Sequence, residues 1–216
     1  MKYKLMIFDL DGTILETLED LENSVNYALS TLGYPTRTHE EVRAFVGNGM
    51  LNLIKRSAPD GASEDEIQNI LSVFRAHYAE HKADYTKPYT GIEKVLADLK
   101  KQGAMLTVLS NKDDDAVGVL CDKYFPNTFD YTAGNRADRK RKPDPESVHA
   151  IINKYGLTTH DTVYIGDSEV DVLTAKNAGV DCVAVSWGFR DRDVLVDAGA
   201  TMIADDMTKL YEYLTK

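Results

Sequence analysis

The amino-acid sequence predicts an α/β protein: a Rossmann-like parallel-sheet core with a small all-helical domain inserted after the first strand. Five short apolar runs, Tyr3–Phe8, Met105–Leu109, Val163–Ile165, Cys182–Val185 and Met202–Ala204, each stop at a polar or glycine-bearing segment, and most open into a helical pattern. That alternation is the rhythm of a parallel sheet with crossover helices. Between Glu16 and Pro88 no strand-like run occurs, and helical stripes succeed one another instead. At 216 residues, 43% of them hydrophobic, the chain is long enough for one or two domains with a full core.

In chain order, the first strand ends at Asp9. Leu18, Leu21, Val25, Leu29 and Leu32 then form a helical stripe, and a second helix begins near Thr38-His-Glu-Glu41 and is interrupted by Gly47-Asn48-Gly49. The capping box Ser63-Glu-Asp-Glu66 leads a further stripe through Ile67, Ile70, Leu71, Phe74 and Tyr78. Thr90-Gly-Ile-Glu93 reads as a capping box before Val95, Leu96 and Leu99. Asp144-Pro145 reads as a cap and first-turn proline before Val148, Ile151, Ile152 and Tyr155, with Gly156 closing that helix. The expected domains are residues 1–15 with 90–216 as the α/β core and 16–89 as the helical insert, hinged near Leu15–Thr17 and Thr86–Thr90. Ligands of open α/β sheets bind beyond the carboxyl ends of the strands, so such an insert is placed to cover the cleft.

Composition narrows the partners. A net charge of −10 argues against nucleic acid, because phosphate-backbone affinity comes from clustered Lys and Arg. No apolar run reaches the length of a membrane span, and the start lacks a small-residue cleavage site, so neither a membrane nor a secreted setting is expected. Cys121 and Cys182 are too few to staple a domain of this size, which fits a reduced, cytoplasmic setting. An anionic ligand must then be held by a local patch or by a metal.

The chemistry gathers at strand ends. Phe8-Asp9-Leu10-Asp11-Gly12-Thr13 puts two carboxylates at alternate positions where an apolar run stops, and Gly166-Asp167-Ser168-Glu169-Val170-Asp171 puts a second acidic cluster at the equivalent end of another. On a helix start Asp167 and Asp171 lie about one turn apart on one face. Two such clusters repel unless a cation lies between them, and hard oxygen donors select Mg2+ over zinc. Ser110-Asn111-Lys112 ends the second strand, where a hydroxyl and backbone N–H groups at a helix start can hold phosphate oxygens. Arg139-Lys140-Arg141-Lys142-Pro143 is the densest basic run, and spacing alone does not choose among its four cations. His77 and His81 have the spacing of one helix face but no third zinc ligand follows them, so packing is their expected use; the same is expected of Trp187.

Together, Phe8 to Thr13, Ser110, Lys142 with Pro143, and Gly166-Asp167 with Asp171 resemble, in order and spacing, the four motifs of the haloacid dehalogenase-like hydrolases. Phe45 to Met50, His77 to Tyr89 and Gly166 to Asp171 are similar to the phosphoglycolate phosphatases of that superfamily, while related pyrophosphatases and sugar phosphatases share parts of the insert pattern. The resemblance implies a small mobile cap for the insert, Asp9 as nucleophile and Asp11 as acid/base. It implies Mg2+ on the Asp9 carboxylate, the Asp11 main-chain carbonyl and Asp167, with Asp171 in support. Ser110 and Lys142 are implied to bind the transferring phosphoryl group, and Gly12, Thr13 and Asn111 beside them are further candidates for phosphate contacts. Arg43, Gly47 and Asn48 are the candidates for leaving-group contacts from the cap. The implied partner is a small phosphorylated metabolite, with 2-phosphoglycolate foremost, acted on by a monomer or homodimer. The competing readings are a β-phosphoglucomutase-like phosphomutase and a non-catalytic phosphate-binding regulator.

Overall fold

The computed structural model describes residues 2–216. The chain divides into two compact units, residues 1–15 with 88–216, and residues 16–87.

In the first unit, β1 (Leu5–Phe8), β2 (Met105–Asp113), β3 (Tyr131–Asn135), β4 (Thr162–Gly166), β5 (Asp181–Val185) and β6 (Met202–Ala204) form one sheet in the order β3-β2-β1-β4-β5-β6. All of its pairings are parallel. That is the order of doubly wound dinucleotide-type sheets, whose direction of winding reverses between β1 and β4 and leaves a crevice at the carboxyl ends there. All four residues of β1 are inaccessible to solvent, which is why this strand reads as an unbroken apolar run and not as an alternation. Phe8 is in register with Val108 on one side and Ile165 on the other. Asp9, Ser110 and Asp167 follow within one or two residues, so the register itself delivers them to one edge.

Three local expectations need correction. β3 was not foreseen. It is a partly exposed edge strand, and its Gly134 stands where a Cβ would lie 2.5 Å from the Asp114 Cα. β2 runs on past Leu109 to Asp113, with a register shift against β3, so Ser110-Asn111-Lys112 lies on a strand end and not at the start of the helix that follows, Asp114–Tyr124. The Thr90 capping box does not form: the helix Ile92–Lys101 is entered through Gly91 in the left-handed region, with no side-chain cap. One position is also shifted elsewhere: Pro145 occupies the cap of the helix Glu146–Lys154, while the Asp144 carboxylate accepts the Glu146 N–H at 3.0 Å.

The second unit holds α1 (Leu18–Thr31), α2 (His39–Phe45), α3 (Met50–Ser57) and α4 (Glu64–His81). Capping boxes Thr38/Glu41 and Ser63/Glu66 start α2 and α4. Val25, Leu29, Ile70 and Phe74 are fully buried between the helices. His77 and His81 stack on each other, and His77 stacks on Tyr27. Among the described residues no helix is long and apolar enough to cross a membrane.

The chain leaves and re-enters through Leu15–Glu16 and Lys87–Pro88, which pair as a two-stranded ribbon. Beside it, the Asp20 carboxylate, on a residue only 2% exposed, accepts the backbone N–H of Tyr85 at 3.0 Å and the N–H and hydroxyl of Thr86 at 2.8 and 2.7 Å. Removing that acceptor takes these hydrogen bonds to a charged group away, a loss on the order of 3 kcal/mol. Asp20→Ala should therefore lower the thermal midpoint by several degrees, and Asp20→Asn by less. An unchanged midpoint in Asp20→Ala would show that this carboxylate does not fasten the exit of the helical unit.

Candidate active site

The site starts from the loop after β1. The Asp9 N–H still bonds the Ile165 carbonyl at 2.8 Å, so Asp9 extends the sheet by one residue. The chain then coils tightly: the N–H groups of Thr13, Ile14 and Leu15 converge on the Leu10 carbonyl at 3.3, 3.1 and 3.0 Å. Gly12 makes this possible with φ +78°, and a Cβ there would lie 2.3 Å from the Asp167 Oδ2. Only glycine meets both demands.

Around this loop, Asp9, Asp167 and Asp171 are buried with carboxylate oxygens within 4.8 Å of one another, the one such cluster among the described residues. A single lysine enters it. The Lys142 Nζ lies 3.0 Å from Asp9 and 2.7 Å from Asp171. Burial acts to lower the Lys142 pKa, but the Asp171 and Asp9 carboxylates outweigh it and hold the ammonium charged well above the usual lysine range. The reverse holds for two of the acids. Burial, against the attraction of Lys142 and with the repulsion of Asp171 and Asp11, pushes Asp9 up to about 6. Burial, with the repulsion of Asp171 and Asp9, pushes Asp167 well up despite the Phe189 N–H and Arg190. Three buried carboxylates against one ammonium leave an excess of negative charge, and the available donors are hard oxygens. The residues thus fit a divalent cation of the magnesium type.

The three acids are not equivalent. Asp171 is committed on both oxygens: Oδ1 to Lys142, and Oδ2 to the N–H and hydroxyl of Ser168 at 3.1 and 2.6 Å, as N3 of the helix Glu169–Ala178. Asp9 and Asp167 are the better candidates for direct ligands, with Asp171 behind them. The Asp11 carboxylate lies outside the cluster and pairs with Lys112 at 2.9 Å.

The remaining expected residues fall into place unevenly. Ser110 is buried, and its hydroxyl accepts the Lys112 N–H at 3.4 Å. Asn111, expected at the phosphate, uses both ends of its amide on the backbone of Lys142: Oδ1 accepts its N–H at 3.0 Å and Nδ2 donates to its carbonyl at 3.2 Å. It fixes the segment that carries the lysine. The Thr13 hydroxyl, likewise expected at the phosphate, donates to Asp167 at 3.2 Å. The structure also separates the four cations that spacing left open: Arg139 bonds the Gly134 carbonyl and Asp114, Lys140 pairs with Asp144 and Glu146, Arg141 bonds Asn135, and Lys142 alone of the four reaches the acids. Arg43 sits in the last turn of α2, and Gly47 and Asn48 in the turn after it, all within the helical unit.

The segment after β5 went unrecognised. The Phe189 N–H donates to Asp167 at 2.7 Å, the Trp187 Nε1 donates to the Thr13 carbonyl at 3.1 Å, and Arg190 pairs with Glu169 at 2.8 Å. Gly188 is forced, since a Cβ would fall 2.3 Å from that of Asp167 and 2.5 Å from the Gly12 carbonyl. Trp187, read as packing, is a hydrogen-bonded fastener of the loop after β1. Its strand-end Trp-Gly signal was visible but shares no residue type with an acidic site.

A carboxyl raised on folding from about 4 to about 6 takes up a proton, so its cost to the metal-free fold is absent at low pH, grows as pH rises through that interval and is complete above it. Asp9→Asn removes that cost. In EDTA the substitution should raise the thermal midpoint more at pH 7.5 than at pH 5, and the wild-type gain on adding Mg2+ should grow in the same direction. A gain independent of pH would contradict the charge excess.

The sequence model of the haloacid dehalogenase-like hydrolases matches residues 6–185. A phosphoglycolate phosphatase of Pseudomonas syringae pv. tomato is 34% identical over 213 residues, covering 96% of this chain and 78% of that protein. Phosphoglycolate phosphatase 1 of Pseudomonas aeruginosa is 32% identical with the same coverage. A crystal structure from Lactobacillus delbrueckii subsp. bulgaricus, provisionally assigned as a phosphoglycolate phosphatase, superposes with a TM-score of 0.94 at 36% identity, covering 99% of both chains. With its motifs gathered at one sheet edge and its relatives alike over nearly its whole length, this chain belongs to the haloacid dehalogenase-like hydrolases.

Proposed function

We propose that the chain is a magnesium-dependent phosphatase that hydrolyses a small phosphate monoester, 2-phosphoglycolate foremost, by way of a phosphoryl group carried on Asp9. The observation that carries the reading is the buried cluster of Asp9, Asp167 and Asp171 around Lys142. The names of the relatives in Pseudomonas support the substrate. Cys121 and Cys182, both unpaired, suit a cytoplasmic enzyme.

Hydrolysis of phosphate monoesters without a catalyst is so slow that the site must lower the barrier by on the order of 20 kcal/mol. The step is divided in two. A carboxylate oxygen of Asp9 attacks phosphorus while the bond to the ester oxygen breaks, and Asp11 gives that oxygen its proton. The product is a mixed anhydride on Asp9. Water, losing a proton to Asp11, then attacks phosphorus, and phosphate leaves with the Asp9 carboxylate restored. Lys142 and Ser110 hold the phosphoryl oxygens, and the Lys142 ammonium offsets charge on nucleophile and phosphoryl group together. Mg2+ held by Asp9 and Asp167, with Asp171 behind them, supplies further charge neutralisation. Thr13, Phe189 and the glycines keep Asp167 aimed. The helical unit serves as the cap, with Arg43, Gly47 and Asn48 contributing contacts to the leaving group.

Phosphate release from a panel of 2-phosphoglycolate, pyrophosphate, sugar phosphates and nucleotides tests this. Wild type should be active with Mg2+, inactive in EDTA and fastest on 2-phosphoglycolate, and Asp9→Asn should lose at least about 10³-fold in kcat. Full activity in Asp9→Asn would remove the nucleophile. Conversion of a sugar 1-phosphate to a 6-phosphate without free phosphate would make the enzyme a mutase.

A further inference from the structure

Of the basic run Arg139 to Lys142, only Lys142 serves the acidic cluster. Arg139 instead lines a pocket of about 270 Å³ walled by β3, the segment that follows it and the helix Glu146–Lys154. No member of the acidic cluster borders that pocket.

The wall has an apolar part, made by the Tyr131 ring with Ala133, Ala150 and Ile151, and a polar part. The charges of the polar part are not equally free. Asp138 pairs with Arg136 at 3.1 Å, Glu146 with Lys140 at 3.3 Å and Arg139 with Asp114 at 3.3 Å. Lys154 has no carboxylate partner among the described residues; its ammonium lies 5.2 Å from the centroid of the Tyr131 ring, beside the apolar part of the wall. Ser147 adds a second unmet demand. It is 6% exposed, and its hydroxyl has no hydrogen-bond partner, a condition few buried polar groups are left in.

One uncommitted ammonium balances one negative charge, and a carboxylate meets it in a charge-assisted hydrogen bond. The apolar wall beside it suits a short hydrocarbon or aromatic body. The volume lies just under the roughly 300–1,000 Å³ of drug-sized sites, which keeps that body small.

We propose that this pocket is a second ligand site, separate from the catalytic cluster, for a small monocarboxylate with an apolar body. The carboxylate pairs with Lys154, and the body lies against Tyr131, Ala133, Ala150 and Ile151. The proposal does not depend on the phosphatase reading. Asp138 and Arg139 belong to the segment that leads to Lys142, so a ligand here touches the stretch of chain that carries that lysine.

Titration of the full-length protein in EDTA with benzoate, butyrate and benzyl alcohol, followed through backbone amide 1H–15N shifts, tests the proposal. Benzoate should bind saturably with a Kd of about 1 mM or below, and benzyl alcohol, which keeps the ring and loses the charge, at least about 10-fold more weakly. Butyrate, with the smaller body, should fall between them. The shifts should centre on residues 131–139 and 146–154. Lys154 is exposed, so its replacement leaves the core intact; Lys154→Met should weaken benzoate binding by about 10-fold, and Lys154→Arg should restore most of it. The proposal is overturned by the absence of saturable shifts with either carboxylate, by shifts confined to residues 9–13 and 166–171, by benzyl alcohol binding as well as benzoate, or by an unchanged affinity in Lys154→Met.

Discussion

The constraint on which the rest of the site depends is the concentration of buried negative charge at one sheet edge. Asp9, Asp167 and Asp171 share a pocket of the fold with a single ammonium, Lys142. The fold largely shields these carboxylates from water, and burial, with repulsion from neighbouring acids, raises the proton affinity of Asp9 and Asp167. A protein gains no stability from such an arrangement, and it persists because neighbouring elements over-determine it. The Phe189 N–H and Thr13 hydroxyl fix Asp167, Ser168 and Lys142 fix Asp171, and Asn111 fixes the backbone of Lys142. The glycines at 12, 166 and 188 exist because a side chain at any of them would occupy the space of an acid.

This explains why the parallel sheet suits the site. Adjacent parallel strands end on the same edge, and the crossovers of β1 and β4 leave in opposite directions there. One-residue registers place Asp9 between the loops after β2 and β4. The acids therefore converge from distant parts of the chain, and charge repulsion between them is resisted by backbone hydrogen bonds, not by the side chains alone.

Much of this was legible. The apolar runs of β1, β2 and β4 to β6 are buried on both faces and so announce themselves without periodicity. The acids stand where those runs stop. What escaped the sequence was whatever depends on a partner remote in the chain. The expectation for Asn111 concerned its backbone N–H at a phosphate, and nothing near it in sequence revealed the grip of its side-chain amide on Lys142, thirty-one residues away. Lys112 and Asp11 meet across 101 residues, and the loop Trp187 to Arg190 contains no acid to mark it. β3 was missed because an edge strand need not be apolar and its Gly134 is demanded by the close backbone of Asp114. Among four adjacent cations spacing does not choose; the resemblance names Lys142 by the Pro143 that follows it, and the tertiary structure shows what spacing lacks, its ion pairs with Asp9 and Asp171.

The most direct measurement is to quench the enzyme during turnover of 2-phosphoglycolate with Mg2+, reduce it with borohydride and map the modified peptide by mass spectrometry. A phosphoryl group carried on Asp9 predicts homoserine at position 9, dependent on both substrate and magnesium. Phosphate release with Asp9 unmodified and the reduction product at another residue would contradict the claim that this buried, charge-crowded carboxylate is the nucleophile.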